Sequence, residues 1–191
     1  MMVGTFTRVA IPALWLGWIL YWIIAAGNVK ETRWHEPRHE RIRHSLPFLI
    51  AFGLIIVPGW RLGVLGYRFL PDTSILPLIG TAIVALALGF ACWARVHLGR
   101  NWSGTITLKE DHVLITTGPY AFVRHPIYTG ILFGFVGTAL AIGEWRGLLA
   151  IVSILIGIEV RCSAEERKMR ETFPNYDDYV RRTKRLVPFI Y

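Results

Sequence analysis

The chain is poor in cysteine and in acid. Of 191 residues only Cys92 and Cys162 are cysteine, and both sit in or beside apolar runs. That argues against a disulfide scaffold and against a cysteine-based zinc site. Asp and Glu number 13 against 21 Lys and Arg, for a formal net charge of +8. No acidic residue falls inside the first three apolar runs, where a proton or ion path usually needs one, which disfavours transport. There is no Gly-rich strand–turn–helix motif of the dinucleotide-binding kind. The first apolar run is too long for a signal peptide and lacks a small-residue cleavage site.

What the chain does have is hydrocarbon. Hydrophobic residues make up 53% of it, with a mean hydropathy of +0.43. Several runs reach roughly 17–25 residues, the length that crosses ~30 Å of bilayer core. A soluble globular protein, a disordered chain and a coiled coil are excluded. The basic excess lies between the apolar runs, where it reports orientation rather than nucleic-acid binding.

Five spans are expected, at about 9–26, 46–65, 75–96, 126–142 and 147–164. The first is rich in Trp15, Trp18, Tyr21 and Trp22. The second contains Pro58, expected to kink it, and Arg61, expected to snorkel to an interface. The fourth opens at Pro126, which suits a first helical position because no N–H needs a partner there. The fifth runs on beyond Glu159 in polar helix-forming sequence, so one helix should emerge from the membrane into water. The connection between spans four and five, about 143–146, is short enough to make them an antiparallel hairpin. Gly130, Gly134 and Gly137 offer the small-residue spacing that lets membrane helices pack closely.

Seventeen of the Lys and Arg residues fall on one side of this arrangement and four on the other. The basic side is expected to be cytoplasmic, with the N-terminus outside and the C-terminus inside. The resulting expectation is an all-α integral membrane protein of about five transmembrane helices. It carries a short β-like cytoplasmic connection and a helical C-terminal tail, and forms a single membrane domain over 1–191. In the cytoplasmic connection, 105–108 and 113–116 read as strand–turn–strand. The basic 28–45 connection, with His35, His39 and His44, reads as a flank for anionic lipid headgroups rather than a metal site. No metal is expected.

Polar chemistry concentrates in two places: 99–130, and Glu159 to Arg170 at the cytoplasmic end of span five. Because spans four and five are antiparallel neighbours, these stretches lie at one depth and can face each other. Taken singly, each residue has a plain structural reading. His125 is a lone interfacial histidine, Arg124 an ordinary cytoplasmic flank, and Glu165 and Glu166 a solvated helix face paired with Arg161 and Arg170. Together they form a His/Arg/Glu cluster at membrane depth, where ionisable residues mark functional sites. A helix N-terminus such as that at Pro126 can also hold an anionic group.

The order His112-x-Leu114, Gly118-Pro119-Tyr120, Arg124-His125-Pro126-x-Tyr128-x-Gly130 and Glu165-Glu166 resembles the isoprenylcysteine carboxyl methyltransferase family. Phe173-Pro174-x-Tyr176-x-x-Tyr179 and Arg185-Leu186-Val187-Pro188 resemble that family's cytosolic tail, so the likeness covers about residues 92–191. It implies S-adenosylmethionine as cofactor and a lipophilic or lipidated acceptor, with the cofactor region at about 97–191. By the same resemblance, His112, Val113, Leu114, Gly118 and Tyr120 would line the adenosine region. His125, Pro126 and Tyr128 would lie against the rest of the cofactor. The pair Glu165 and Glu166 would accept from its ammonium or ribose, with Glu166 first. Arg170 would hold an acceptor carboxylate, with Arg161 or Arg124 in its place as alternatives. Asn101 and Trp102 become pocket neighbours without an assigned role. A carboxylate acceptor is already ionised at neutral pH and needs no base, only removal of its water shell and alignment. An amine acceptor, as in the related phospholipid N-methyltransferases, would need one. A NADPH-dependent sterol-reductase-like enzyme and a non-enzymatic membrane scaffold stand as further alternatives, and no nucleic-acid partner is expected.

Overall fold

A computed structural model of the protein describes residues 2–27, 32–35, 37–102, 107–109 and 113–191. Its long helices are α1 (Met2–Ala26), α2 (Arg38–Ile56), α3 (Ile75–Leu98), α4 (Pro126–Ile142) and α5 (Trp145–Thr172), followed by the short α6 (Tyr176–Arg182). Phe6–Ala26, Ile75–Asn101 and Trp145–Thr172 are long and apolar enough to cross a membrane, and Pro126–Ile142 is a shorter apolar helix. Large apolar side chains such as Ile24, Leu49, Leu86 and Val152 point outward. In water that would be a liability; in lipid it is the expected outer face. The protein is an integral, multi-pass membrane protein.

Each boundary has a local cause. α4 starts at Pro126 because the residue before a proline is pushed out of helical geometry, and His125 sits at φ −126°, ψ 59°. It ends at Gly143, whose left-handed φ of 67° is cheap only without a Cβ. Glu144 then turns the chain directly into α5, giving the expected hairpin. α5 continues unbroken through Thr172, as its polar extension suggested.

The second helix differs from expectation. It begins eight residues before 46, at Arg38, and stops at Ile56, so Pro58 lies beyond it instead of kinking it. Val57, the residue after the helix, is already extended, with φ −66° and ψ 128°. Arg38, Arg41 and Arg43 consequently belong to its first turns. Arg61 stacks over the Trp60 ring at 4.7 Å. The carbonyls left open where α2 ends are collected by Arg146, which donates to Leu54, Ile55 and Val57 and pairs with Glu144.

The strand–turn–strand expectation is also corrected. Thr107–Lys109 is a strand, but it pairs antiparallel with Thr32–His35, and 113–116 forms no strand among the described residues. The two-residue-period pattern was real; its partner lay across the chain. Residues 105, 106 and His112 lie outside the described residues.

Packing is tightest between α3 and α4. A Cβ at Gly130 would stand 2.5 Å from the Ala87 carbonyl oxygen, and one at Gly137 2.6 Å from that of Gly80. The core then fills with Trp15, Val84, Leu88, Phe135, Ile154 and Ile158, to which the tail contributes Leu186. We expect Gly137→Leu to force α3 and α4 apart and to cost about 1–3 kcal/mol or more of stability. Gly89→Leu, at a position with open space around it, should be neutral; thermal unfolding in detergent distinguishes the two.

Candidate active site

The polar ends of α4 and α5 do meet, and a third segment joins them. After α6 the tail runs beside the entrance to α4: Arg124 N–H donates to the Lys184 carbonyl at 2.8 Å and His125 N–H to that of Arg185 at 3.1 Å. Thr129 Oγ1 donates to the Leu186 carbonyl at 2.7 Å. Tyr179 donates its hydroxyl to the Tyr120 carbonyl at 2.7 Å. Two stretches distant in sequence, 120–129 and 179–186, are thereby fixed against each other.

At their junction lies Glu166, only 2% exposed. Its Oε1 accepts from Arg124 Nε at 3.0 Å, Arg185 Nε at 3.1 Å and His125 Nε2 at 3.2 Å. Its Oε2 accepts from Arg185 Nη2 at 2.9 Å. Arg124 also donates to the carbonyls of Val180 and Thr183, and Arg185 reaches Glu159 at 2.9 Å. A carboxylate so surrounded is ionised and structurally committed.

Glu165 faces differently. It accepts from the Tyr128 hydroxyl at 2.6 Å, and stands 3.5 Å from His125 Nδ1 and 3.8 Å from Arg161 Nε. Both ring nitrogens of His125 therefore face carboxylates, which favours the doubly protonated imidazolium. Burial pushes the His125 pKa down. Cys162, Glu165 and Glu166, through charge and hydrogen bonds, push it up by more, and it ends well above the ordinary histidine value. The Arg185 guanidinium is likewise raised by its bond to Glu166, against burial.

This cluster forms one wall of a cavity of about 380 Å³. Val113, Leu114, Tyr120, Arg124, His125, Pro126, Tyr128, Arg161 and Glu165 all line it. The rest of the lining is rich in aromatic side chains: Trp18 and Trp22 of α1, Phe48 and Phe52 of α2, and Trp102. Three sequence-selected residues stand elsewhere. Glu166 lies behind the wall, so Glu165 is the carboxylate of the pair that reaches the cavity, the reverse of the expected order. Arg170 does not line the cavity; it is 46% exposed and donates to Asp177 at 2.9 Å. Gly118, at φ 58°, leaves room for the His97 ring, which a Cβ would meet at 2.7 Å. Its bareness makes room for that ring.

Sequence reasoning set Trp102 beside the pocket and Arg185 in the tail, but gave Trp18, Trp22, Phe48, Phe52 and Arg185 no place at the site. The spacing of Trp15, Trp18 and Trp22 along one helix face was a usable signal for the two tryptophans. Arg185 lies 19 residues beyond Glu166 with no pattern linking the two.

Residues 76–176 match the family model described as phospholipid methyltransferase. The chain belongs to that family. This is the membrane-methyltransferase group anticipated from His112, Gly118-Pro119-Tyr120, Arg124-His125-Pro126-x-Tyr128 and Glu165-Glu166 taken together. Among curated relatives, the nickel-cobalt-cadmium resistance protein NccN of Alcaligenes xylosoxydans xylosoxydans is 32% identical over 106 residues, covering 54% of this chain and 49% of its own. The protein-S-isoprenylcysteine O-methyltransferase of Schizosaccharomyces pombe is 31% identical over 115 residues, with the same two coverages, 54% and 49%. The chain thus spans about half the length of these relatives. A solved structure of a eukaryotic intramembrane Ras methyltransferase, ICMT, superposes with a TM-score of 0.58 at 21% identity, over 78% of this chain and 53% of that one. At that identity the likeness is one of fold.

Two outcomes are expected of the cluster. Glu166→Gln leaves Arg124, His125 and Arg185 facing each other without their shared counter-charge, and should cost about 3–5 kcal/mol of stability. His125 carries a raised pKa in the fold, so its stabilisation is complete below about pH 6.5 and is lost as pH rises through the folded value. Unfolding midpoints measured from pH 6 upward should fall with pH in the wild type and flatten in His125→Gln.

Proposed function

We propose that this protein is a membrane-embedded methyltransferase that moves a methyl group from S-adenosylmethionine to a lipophilic acceptor, most simply a prenylcysteine-like carboxylate. One observation carries the reading: a single cavity lined by a carboxylate, a guanidinium and a histidine, and also by aromatic hydrocarbon. Family membership and the O-methyltransferase names of several relatives support it.

S-adenosylmethionine, when bound, supplies a sulfonium-activated methyl group. The residues present fit it. Glu165 offers the cavity a carboxylate for an ammonium group. Val113, Leu114 and Tyr120 offer apolar and aromatic surface for a purine. Arg161, whose guanidinium lies 5.7 Å from the Phe48 ring centre and 5.8 Å from that of Tyr128, is a cation set beside the aromatic rings. It is the better candidate for orienting an acceptor carboxylate. Arg124 is committed to Glu166 and two carbonyls, and Arg170 lies off the cavity. The aromatic wall strips water from the acceptor, which is the main requirement for an already ionised nucleophile.

An amine acceptor fits less well. It must lose a proton, and the cavity histidine has carboxylates at both nitrogens and no free lone pair to receive one. The excess of basic residues on the site's side supports a cytoplasmic active site and C-terminus, with the N-terminus outside. The described helices support reading the chain as one membrane unit.

Calorimetric titration of the purified protein with S-adenosylhomocysteine, with NADPH as control, tests the reading: binding of the first and not the second is expected. Absence of S-adenosylhomocysteine binding in folded protein overturns it. Glu165→Gln should weaken that affinity about 10–100-fold, the range of a lost charge-assisted hydrogen bond. Arg161→Ala should retain the affinity and lose turnover, and Arg170→Ala should change neither.

A further inference from the structure

The cavity stops at one level on four helices. Followed inward from the polar end of the bundle, its last lining residue is Trp18 on α1, Phe52 on α2, Ile131 on α4 and Arg161 on α5. One turn further in, on the same helix faces, stand Trp15, Phe135 and Ile158. All three are buried and none lines the cavity.

Phe52 closes on two of them. The ring centres of Trp15, Phe52 and Phe135 lie 5.3, 5.3 and 5.0 Å apart in the three pairings, each edge to face. Rings from α1, α2 and α4 thus meet across the bundle directly beneath the lining. The indole is seated firmly. A Cβ on Gly134 would stand 3.1 Å from the Trp15 ring, and Trp15 Nε1 donates to Thr138 Oγ1 at 3.0 Å. Phe135 is wholly buried.

The space above these rings is shallow. The Arg161 guanidinium lies beside Phe48 and Tyr128. Phe52 is one helical turn inward of Phe48, and Phe135 two turns inward of Tyr128, which leaves roughly 6–10 Å of apolar depth below Arg161. The whole cavity measures about 380 Å³. Small-molecule sites span roughly 300–1,000 Å³, so this one is at the lower end.

We propose that the Trp15–Phe52–Phe135 cluster is a floor that limits the length of the acceptor's apolar chain. The site takes a lipophilic acid with a short tail, about that of octanoic acid, and turns longer ones away. The inference rests on the proposed function for the word acceptor, and it narrows the class of acceptor within that reading. Each methylene that fits above the floor leaves water and adds affinity. The first that does not fit must displace packed rings, which a close-packed interior resists. Phe52, which lines the cavity and closes the floor, and Ile131, one turn above Phe135, are the residues that set the limit.

The test is binding, so it does not require turnover. Wild-type protein, Phe52→Ala and Ile131→Phe are placed in lipid nanodiscs. Each is titrated by calorimetry with the straight-chain acids from butanoic to hexadecanoic, with the heat of empty discs subtracted, and separately with S-adenosylhomocysteine. In the wild type, affinity is expected to rise about fourfold per methylene as far as octanoic acid and then to level off or fall. Phe52→Ala opens the floor and should move the break to longer acids. Ile131→Phe fills the space above it and should move the break to shorter ones. Affinity for S-adenosylhomocysteine should stay within about twofold in both. A rise that continues unbroken to hexadecanoic acid shows the tail leaving sideways into lipid, and overturns the proposal. A break that stays in place in the folded variants makes the rings ordinary core, and overturns it too. So does wild-type protein that binds S-adenosylhomocysteine but none of the acids. If Phe52→Ala does not fold, the direction of the shift in Ile131→Phe decides. If the wild type shows the break but does not bind S-adenosylhomocysteine, the floor stands and the methyl-transfer reading falls.

Discussion

A single buried carboxylate organises the functional end of this molecule. Glu166 is reached by Arg124 from the segment before α4, by His125 from the cap of α4 and by Arg185 from the tail. The donors come from two distant parts of the chain, 124–125 and 185, and Arg185 holds Glu159 as well, at 2.9 Å. At the edge of a membrane the mutual repulsion of these groups would be weakly screened. The carboxylate joins these two like-charged segments to α5. The backbone bonds between 124–125 and 184–185 and the burial of Leu186 depend on the same alignment.

That joint frees the neighbouring residue. Because Glu166 absorbs the cations behind the wall, Glu165 can turn toward the cavity with a tyrosine hydroxyl as its shortest contact. Two adjacent glutamates thus take different duties, set by the helical turn of α5 and not by their chemistry. The aromatic part of the lining is built from α1, α2 and Trp102, with the Arg95 guanidinium over the Trp102 ring. A cavity between charge and hydrocarbon suits a ligand that carries both.

Close packing of α3 on α4 brings these walls into register. Gly130 and Gly137 let the two backbones approach to carbonyl contact. In lipid, where apolar side chains gain nothing by leaving their surroundings, such approach is the main source of helix association. The arginine at the far end of α5 serves the same rigidity: Arg146 closes the open carbonyls of α2 and so fixes where Phe48 and Phe52 begin.

The apolar runs and the α4–α5 hairpin were legible from sequence because they depend on local hydropathy and on Pro126 and Gly143. The meeting of the Arg124-His125 and Glu165-Glu166 stretches was legible too, since a tight hairpin forces two helix ends to one depth. The end of α2 was misplaced because hydropathy continues past Ile56, while Pro58 and the extended Val57 stop the helix. The partner of Thr107–Lys109 was misassigned because a strand's alternation does not say which strand completes it.

Sequence alone thus determined that the chain lives in a membrane and which residue types gather at its polar end. It could not decide which of two adjacent glutamates lines the cavity, or that Arg170 stands off it between Asp177 and Glu166. Those are matters of helix rotation and of contacts across tens of residues. Side-chain direction at a given depth is settled only when all the helices pack.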